Sequence, residues 1–64
     1  MKMKGTVKWF NIEKGFGFIL GEDEKDYFAH HTSVSDGILK KDDKVTFDPA
    51  KTDRGMKAIN IVKL

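Results

Sequence analysis

Flat rings interleaved with lysine and glycine are the residues of this chain best suited to chemistry. The tract Lys14-Gly15-Phe16-Gly17-Phe18-Ile19 sets two phenylalanines two positions apart, with a lysine at the same spacing before them. Side chains alternate across a strand, so in extended backbone Lys14, Phe16 and Phe18 share a face. A second tract, Asp26-Tyr27-Phe28-Ala29-His30, puts Phe28 and His30 on one face and Tyr27 and Ala29 on the other. A hairpin between the tracts would gather Phe16, Phe18, Phe28 and His30. Such a patch can stack planar heterocycles, at roughly 1–3 kcal/mol per base, while lysine meets phosphate as a point charge. The competing reading makes Phe16 and Phe18 core, because phenylalanine is usually buried. Lys14 and His30 on the same face oppose it. Val7, Ile19, Ala29, Val34, Val45, Phe47, Ile59 and Ile61 already supply a small core.

The elements that must position these rings are short and β-rich. No window keeps an apolar stripe at helical spacing, whereas short runs separated by polar turns recur along the chain. Strands are expected over 4–11, 16–20, 26–30, 44–48 and 57–63. Turns are expected at 12–15, in the acidic tract 21–25 and at 51–55, with Arg54-Gly55 at the tip of the last. Pro49 should stop the fourth strand, since it lacks the N–H a ladder needs. A longer connection spans 31–43 with Gly37 as its sharp turn. Trp9 and Phe10 are neighbours, so one of them leaves the core unless a bulge intervenes. Five short antiparallel strands are expected to close into a barrel, which removes exposed edges.

Length and charge set the bounds. A chain of 64 residues is one domain, 1–64, with a small core and marginal stability. It has no cysteine, hence no disulfide and no thiolate metal site. No stretch approaches the roughly 20 apolar residues of a membrane span, and no apolar leader follows Lys2 and Lys4. A cytoplasmic protein is expected. Net charge is +2, but it is segregated. Lys2, Lys4, Lys8 and Lys14 stand against Glu13 in the first third, while Glu22, Asp23, Glu24, Asp26 and Asp36 stand against Lys25 in the next segment. Such segregation can leave a positive face on a nearly neutral protein, although for the charge alone a merely solvated surface with no partner is the favoured reading.

The tract 14–19 closely follows the K/R-G-F/Y-G/A-F-V pattern of RNA-binding strands. In that pattern the glycines would leave room for close approach of a base. Tyr27-Phe28-Ala29-His30 follows it in the chain, and the absence of helices points away from the usual helix-containing host of the pattern. With Lys4-Gly5-Thr6-Val7-Lys8-Trp9-Phe10-Asn11 before it, and Arg54-Gly55, Ala58 and Asn60 after it, the whole chain resembles the cold-shock protein family. The resemblance implies a five-stranded antiparallel OB-fold barrel that binds single-stranded RNA and DNA, pyrimidine-rich segments above all. It also implies an RNA chaperone or modulator of transcription and translation, acting as a monomer without cofactor. On matching positions the stacking residues would be Trp9, Phe16, Phe18, Phe28 and His30, with Phe10 beside them. Lys8 and Lys14 match the family's basic contacts, Asn11 lies at the edge, and Arg54 and Lys57 are candidate cations near the strand. Three departures stand out. His31 replaces a usual aromatic, which weakens one platform or makes it pH-sensitive. The connection Asp36-Gly37-Ile38-Leu39 is a few residues short and lacks a phenylalanine, and Thr6 replaces a frequent lysine.

Other chemistries fit less well. His30 and His31 would point to opposite faces of a strand and so could not share a metal ion. The acids at 22–26 lack the spacing of a calcium loop and read as a solvated hairpin tip. A small nuclease needs acids or histidines converging on a metal or a phosphate, and the acids fall mostly in loops. An SH3-like barrel holding proline-rich peptide is the alternative binding reading, but lysines among the aromatics suit phosphate better. The expectation is therefore a non-enzyme.

Overall fold

In the computed structural model, which describes residues 2–35 and 38–64, five strands form a closed barrel in the order β1-β2-β3-β5-β4. They are β1 (Met3–Asn11), β2 (Phe16–Gly21), β3 (Asp26–His30), β4 (Lys44–Thr52) and β5 (Gly55–Lys63). A single 3-10 turn, His31–Ser33, follows β3. Among the described residues no helix is long and apolar enough to cross a membrane. The expected turn at Gly37, like Asp36, lies outside the described residues.

The ring is not antiparallel throughout. β1 pairs antiparallel with β2 and β4, β2 with β3, and β4 with β5, but β3 and β5 run parallel through Phe28↔Lys57 and Ala29↔Ala58. Parity requires this, because a ring of five strands cannot alternate direction at every step. β4 also continues past Pro49, which lies opposite Ala58. Beyond Phe47 the strand has left its β1 partner, so the proline sits where β4 is paired on one side only, the setting in which a strand tolerates it. The β4–β5 turn shrinks accordingly to Asp53-Arg54, with Thr52 opposite Gly55. Gly55 has φ +124°, and the Thr52 hydroxyl donates to its carbonyl at 2.7 Å.

Two bulges decide which side chains face inward. Between Val7↔Ile19 and Trp9↔Phe18, β1 advances two residues while β2 advances one. The extra residue resets the alternation. Val7 is buried, Trp9 turns outward at 43% exposure, and Phe10 packs against the core. On β5, Val62 pairs with Thr46 and Ile59 with Asp48, again with one residue extra. Asn60 absorbs it at φ +52°, a region asparagine enters more readily than most residues. Ala58 and Ile61 therefore point inward, and Ile59, expected in the core, is only half-buried.

The core comprises Val7, Ile19, Tyr27, Ala29, Val34, Leu39, Val45, Phe47, Ala58 and Ile61. Tyr27 packs on Phe47 with ring centroids 4.9 Å apart. Leu39, from the short connection, is fully enclosed, while its neighbour Ile38 is exposed. Gly17 is buried on the inner side of β2 opposite Phe10. A Cβ there would collide with the Trp9 carbonyl and lie 2.6 Å from the Phe10 Cα. The space this glycine leaves is filled by β1, not held open for a base. At Gly15, with φ +75°, it is the His31 ring that occupies the space.

Candidate nucleic-acid interface

Cross-strand registers arrange the outward side chains of β1, β2 and β3 in rows. The first row is His30, Phe16 and Asn11. The second runs from Lys57 on β5 through Phe28 and Phe18 to Trp9. The rings touch within and between rows. Trp9 meets Phe16 at 5.9 Å and Phe18 at 5.7 Å between centroids. Phe28 stacks on Phe16 at 5.9 Å with 28° between planes, and meets Phe18 edge-on at 5.7 Å. His30 lies 6.4 Å from Phe28, and His31 4.5 Å from His30. Trp9, Phe16, Phe18, Phe28 and His30 thus form one continuous platform. Its phenylalanines are half-buried.

The two histidines lie side by side, contrary to the strand alternation expected of them. β3 ends at His30, and His31 begins the 3-10 turn, so alternation stops between them. The His30 Nδ1 lies 2.9 Å from the Thr32 hydroxyl, and the Thr32 N–H approaches the same nitrogen. Among the described residues no third His, Cys, Asp or Glu joins them in a group able to hold a metal.

The remaining candidates fall at the rim or inside. Lys14 is exposed on the β1–β2 turn, where its N–H donates to the Asn11 Oδ1 at 3.0 Å, so Asn11 shapes that turn. Phe10 faces Gly17 and the core and is not brought onto the platform. Arg54 and Lys57, both exposed, border a cleft of about 360 Å³ that Phe18 and Phe28 share with Thr52 and Met56. Met56 and Thr52 escaped the sequence reading. The available sign was an apolar side chain between Arg54 and Lys57 in an otherwise polar hairpin.

Lys8 is held in the fold by a carboxylate that the sequence reading left in the loop chemistry. Its ammonium lies 3.1 and 3.3 Å from the two carboxylate oxygens of Asp26. Asp26 shares parity with Phe28 and His30, and that pattern could have placed it on the outer face. Both partners are about half exposed, so the pair contributes little to stability. The rest of the acidic hairpin is also more than a solvated tip. The Tyr27 hydroxyl donates to Asp23 at 2.6 Å, and the Lys25 N–H donates to the same carboxylate. The tyrosine's hydrogen bond holds the Asp23 carboxyl below the usual carboxylate range, and the same bond pushes the Tyr27 hydroxyl up.

Comparison with known proteins converges on one family. Residues 3–64 match the 'Cold-shock' DNA-binding domain family. The chain is 52% identical over 61 residues to Cold shock protein 1 of Lactiplantibacillus plantarum, covering 91% of this chain and 92% of the relative. It is 48% identical over 64 residues to the Major cold shock protein of Streptococcus pyogenes serotype M1, covering 95% and 96%. The solved structure of Drosophila Unr CSD456 superposes with a TM-score of 0.81 at 27% identity, over all of this chain and 27% of that one.

Proposed function

This chain belongs to the cold-shock DNA-binding domain family, and from that premise we propose that it binds single-stranded RNA and DNA by stacking successive bases on Trp9, Phe16, Phe18, Phe28 and His30. The observation that carries this reading is the unbroken contact of those rings on one outer face. Every base has a π-face, so recognition is tolerant of sequence. Lys14, Arg54 and Lys57 border the platform and supply phosphate contacts, while Lys8 contributes from its pair with Asp26. His31 extends the row beyond His30. Pyrimidine-rich segments, a monomeric state, a cytoplasmic location and an RNA-chaperone or gene-regulatory role are what the family resemblance adds. Nothing in this mode of action makes or breaks a covalent bond.

The test is a Trp9 fluorescence titration with oligothymidylate, oligoadenylate and a blunt duplex of equal length. Single strands should bind far more tightly than the duplex, because paired bases hide their faces. Equal affinity for strand and duplex would sink the stacking reading and leave non-specific charge alone.

A further inference from the structure

We propose that the nucleic-acid track continues past the aromatic platform onto a third row of outward side chains, where Leu20 meets one further base and Lys44 its phosphate. This rests on the stacking reading above and extends it to residues outside the family-matched platform. The third row is Asp26, Leu20, Thr6 and Lys44, set by the registers Leu20↔Asp26, Thr6↔Leu20 and Thr6↔Lys44. Leu20 follows Phe16 and Phe18 on the same side of β2, at steps of roughly 7 Å from strand geometry. It is an exposed leucine in line with two stacking phenylalanines.

The surroundings of Leu20 suit a nucleotide. An open groove of about 480 Å³ lies over Thr6 and Leu20, with Leu64 adding apolar surface and Lys4, Glu22 and Lys44 around it. Lys4 and Lys44 stand there against Glu22, and Asp26, paired with Lys8, closes the row on β3. The Lys44 ammonium donates to the Thr6 hydroxyl at 2.9 Å, which fixes the charge above β1 beside Leu20. Because β2 lies between β1 and β3, Lys8 must cross β2 to reach Asp26. Its ammonium therefore lies beside Asp26 at the β3 end of the third row.

Titration of the full chain with oligothymidylates of about four to ten nucleotides, within the roughly 4–16 that such barrels occupy, tests the extension. Lys44→Gln should leave the shortest oligomers unaffected and weaken the longer ones by up to about fivefold, as for one exposed charge contact. Its salt slope on the longer oligomers should flatten by about 0.7. Thr6→Lys in the Lys44→Gln background should restore both. Equal weakening at every length, or none at any length, would overturn the third row. Concentration-dependent self-association that Leu20→Ser abolishes would also overturn it, by assigning the groove to a second copy of the chain. Failure of the shortest oligomers to bind the unaltered protein would instead strike the stacking reading itself.

Discussion

Replacing Phe28 with leucine separates support from stacking. Phe28 is the hub of the platform, in contact with Phe16, Phe18 and His30. Leucine keeps most of the apolar volume, and such swaps cost below about 1.5 kcal/mol. Losing the aromatic contacts to Phe16 and Phe18 adds roughly 0.5–1.5 kcal/mol each, so stability should fall by about 1–4.5 kcal/mol in all. A domain of this length has roughly 3–10 kcal/mol to lose. Even if only about 1 kcal/mol remains, more than about four-fifths of the molecules are folded, and unfolding lowers apparent affinity less than about twofold. The stacking loss is larger. One base without its ring costs roughly 1–3 kcal/mol, or about 5- to 150-fold in Kd. Trp9 packs on Phe16 and Phe18 and remains a valid fluorescence reporter. Titration with oligothymidylate beside urea unfolding reads both quantities. If affinity falls less than twofold while the urea midpoint drops, Phe28 only props up its neighbours and the platform has been assigned wrongly. Val45→Ala is the converse control. It empties a fully enclosed site at about 2–3 kcal/mol of stability and leaves the affinity of the folded fraction unchanged.

Gly17→Ala should destabilise the barrel by about 3 kcal/mol or more, since the new Cβ meets β1 backbone, whereas Gly55→Ala meets open space and costs only the strain of its positive φ, about 1–3 kcal/mol; urea midpoints compare the two. The Asp23 carboxyl titrates lower in the fold than in the unfolded chain, so its contribution is complete above about pH 4 and is lost as pH falls through the lower folded value. The Tyr27 hydroxyl titrates higher, so its contribution is complete below about pH 10 and is lost as pH rises through the raised value. Tyr27→Phe should therefore flatten both limbs of a urea-midpoint profile against pH, and unchanged limbs would assign them to other groups. With about three phosphates neutralised on the platform, log K for short oligomers should fall against log salt with a slope near −2, and a slope steeper than about −5 would mean a much larger cationic footprint.

What could be read from the sequence follows from which structural signals are local. β3 was legible to the residue, because Tyr27 and Ala29 alternate cleanly with Asp26, Phe28 and His30 between an acidic turn and a change of backbone. The outward setting of Phe16 and Phe18 was legible from His30, which the register places opposite Phe16, whereas Lys14 lies on the turn before β2. Bulges were not, since one extra residue leaves no mark in composition. The bulge on β1 was only framed as a choice between Trp9 and Phe10, and the one on β5 moved burial from Ile59 to Ala58. Asn60 was its sole local sign. Pro49 was misjudged because whether a strand is paired on both sides depends on where β1 ends. The Lys8–Asp26 pair joins residues from two strands across a third, and only the assembled sheet brings them together.

The odd ring has a mechanical consequence. A closed circuit of five directed strands must contain a mismatch, and here it falls between β3 and β5, whose ladder is only two residue pairs long. Every other junction joins chain neighbours through a short turn or runs over at least four residue pairs. The parallel junction is therefore the clasp of the barrel: β3 and β5 each belong to a hairpin on their other side, and their short ladder, extended by the Val34↔Ile61 bridge, joins two segments distant in the chain. Phe28 lies on one side of that clasp and Lys57 on the other. A strand of nucleic acid stacked on the ring and salt-linked to the lysine would straddle it like a suture, so occupancy of the outer face would hold the inner core shut.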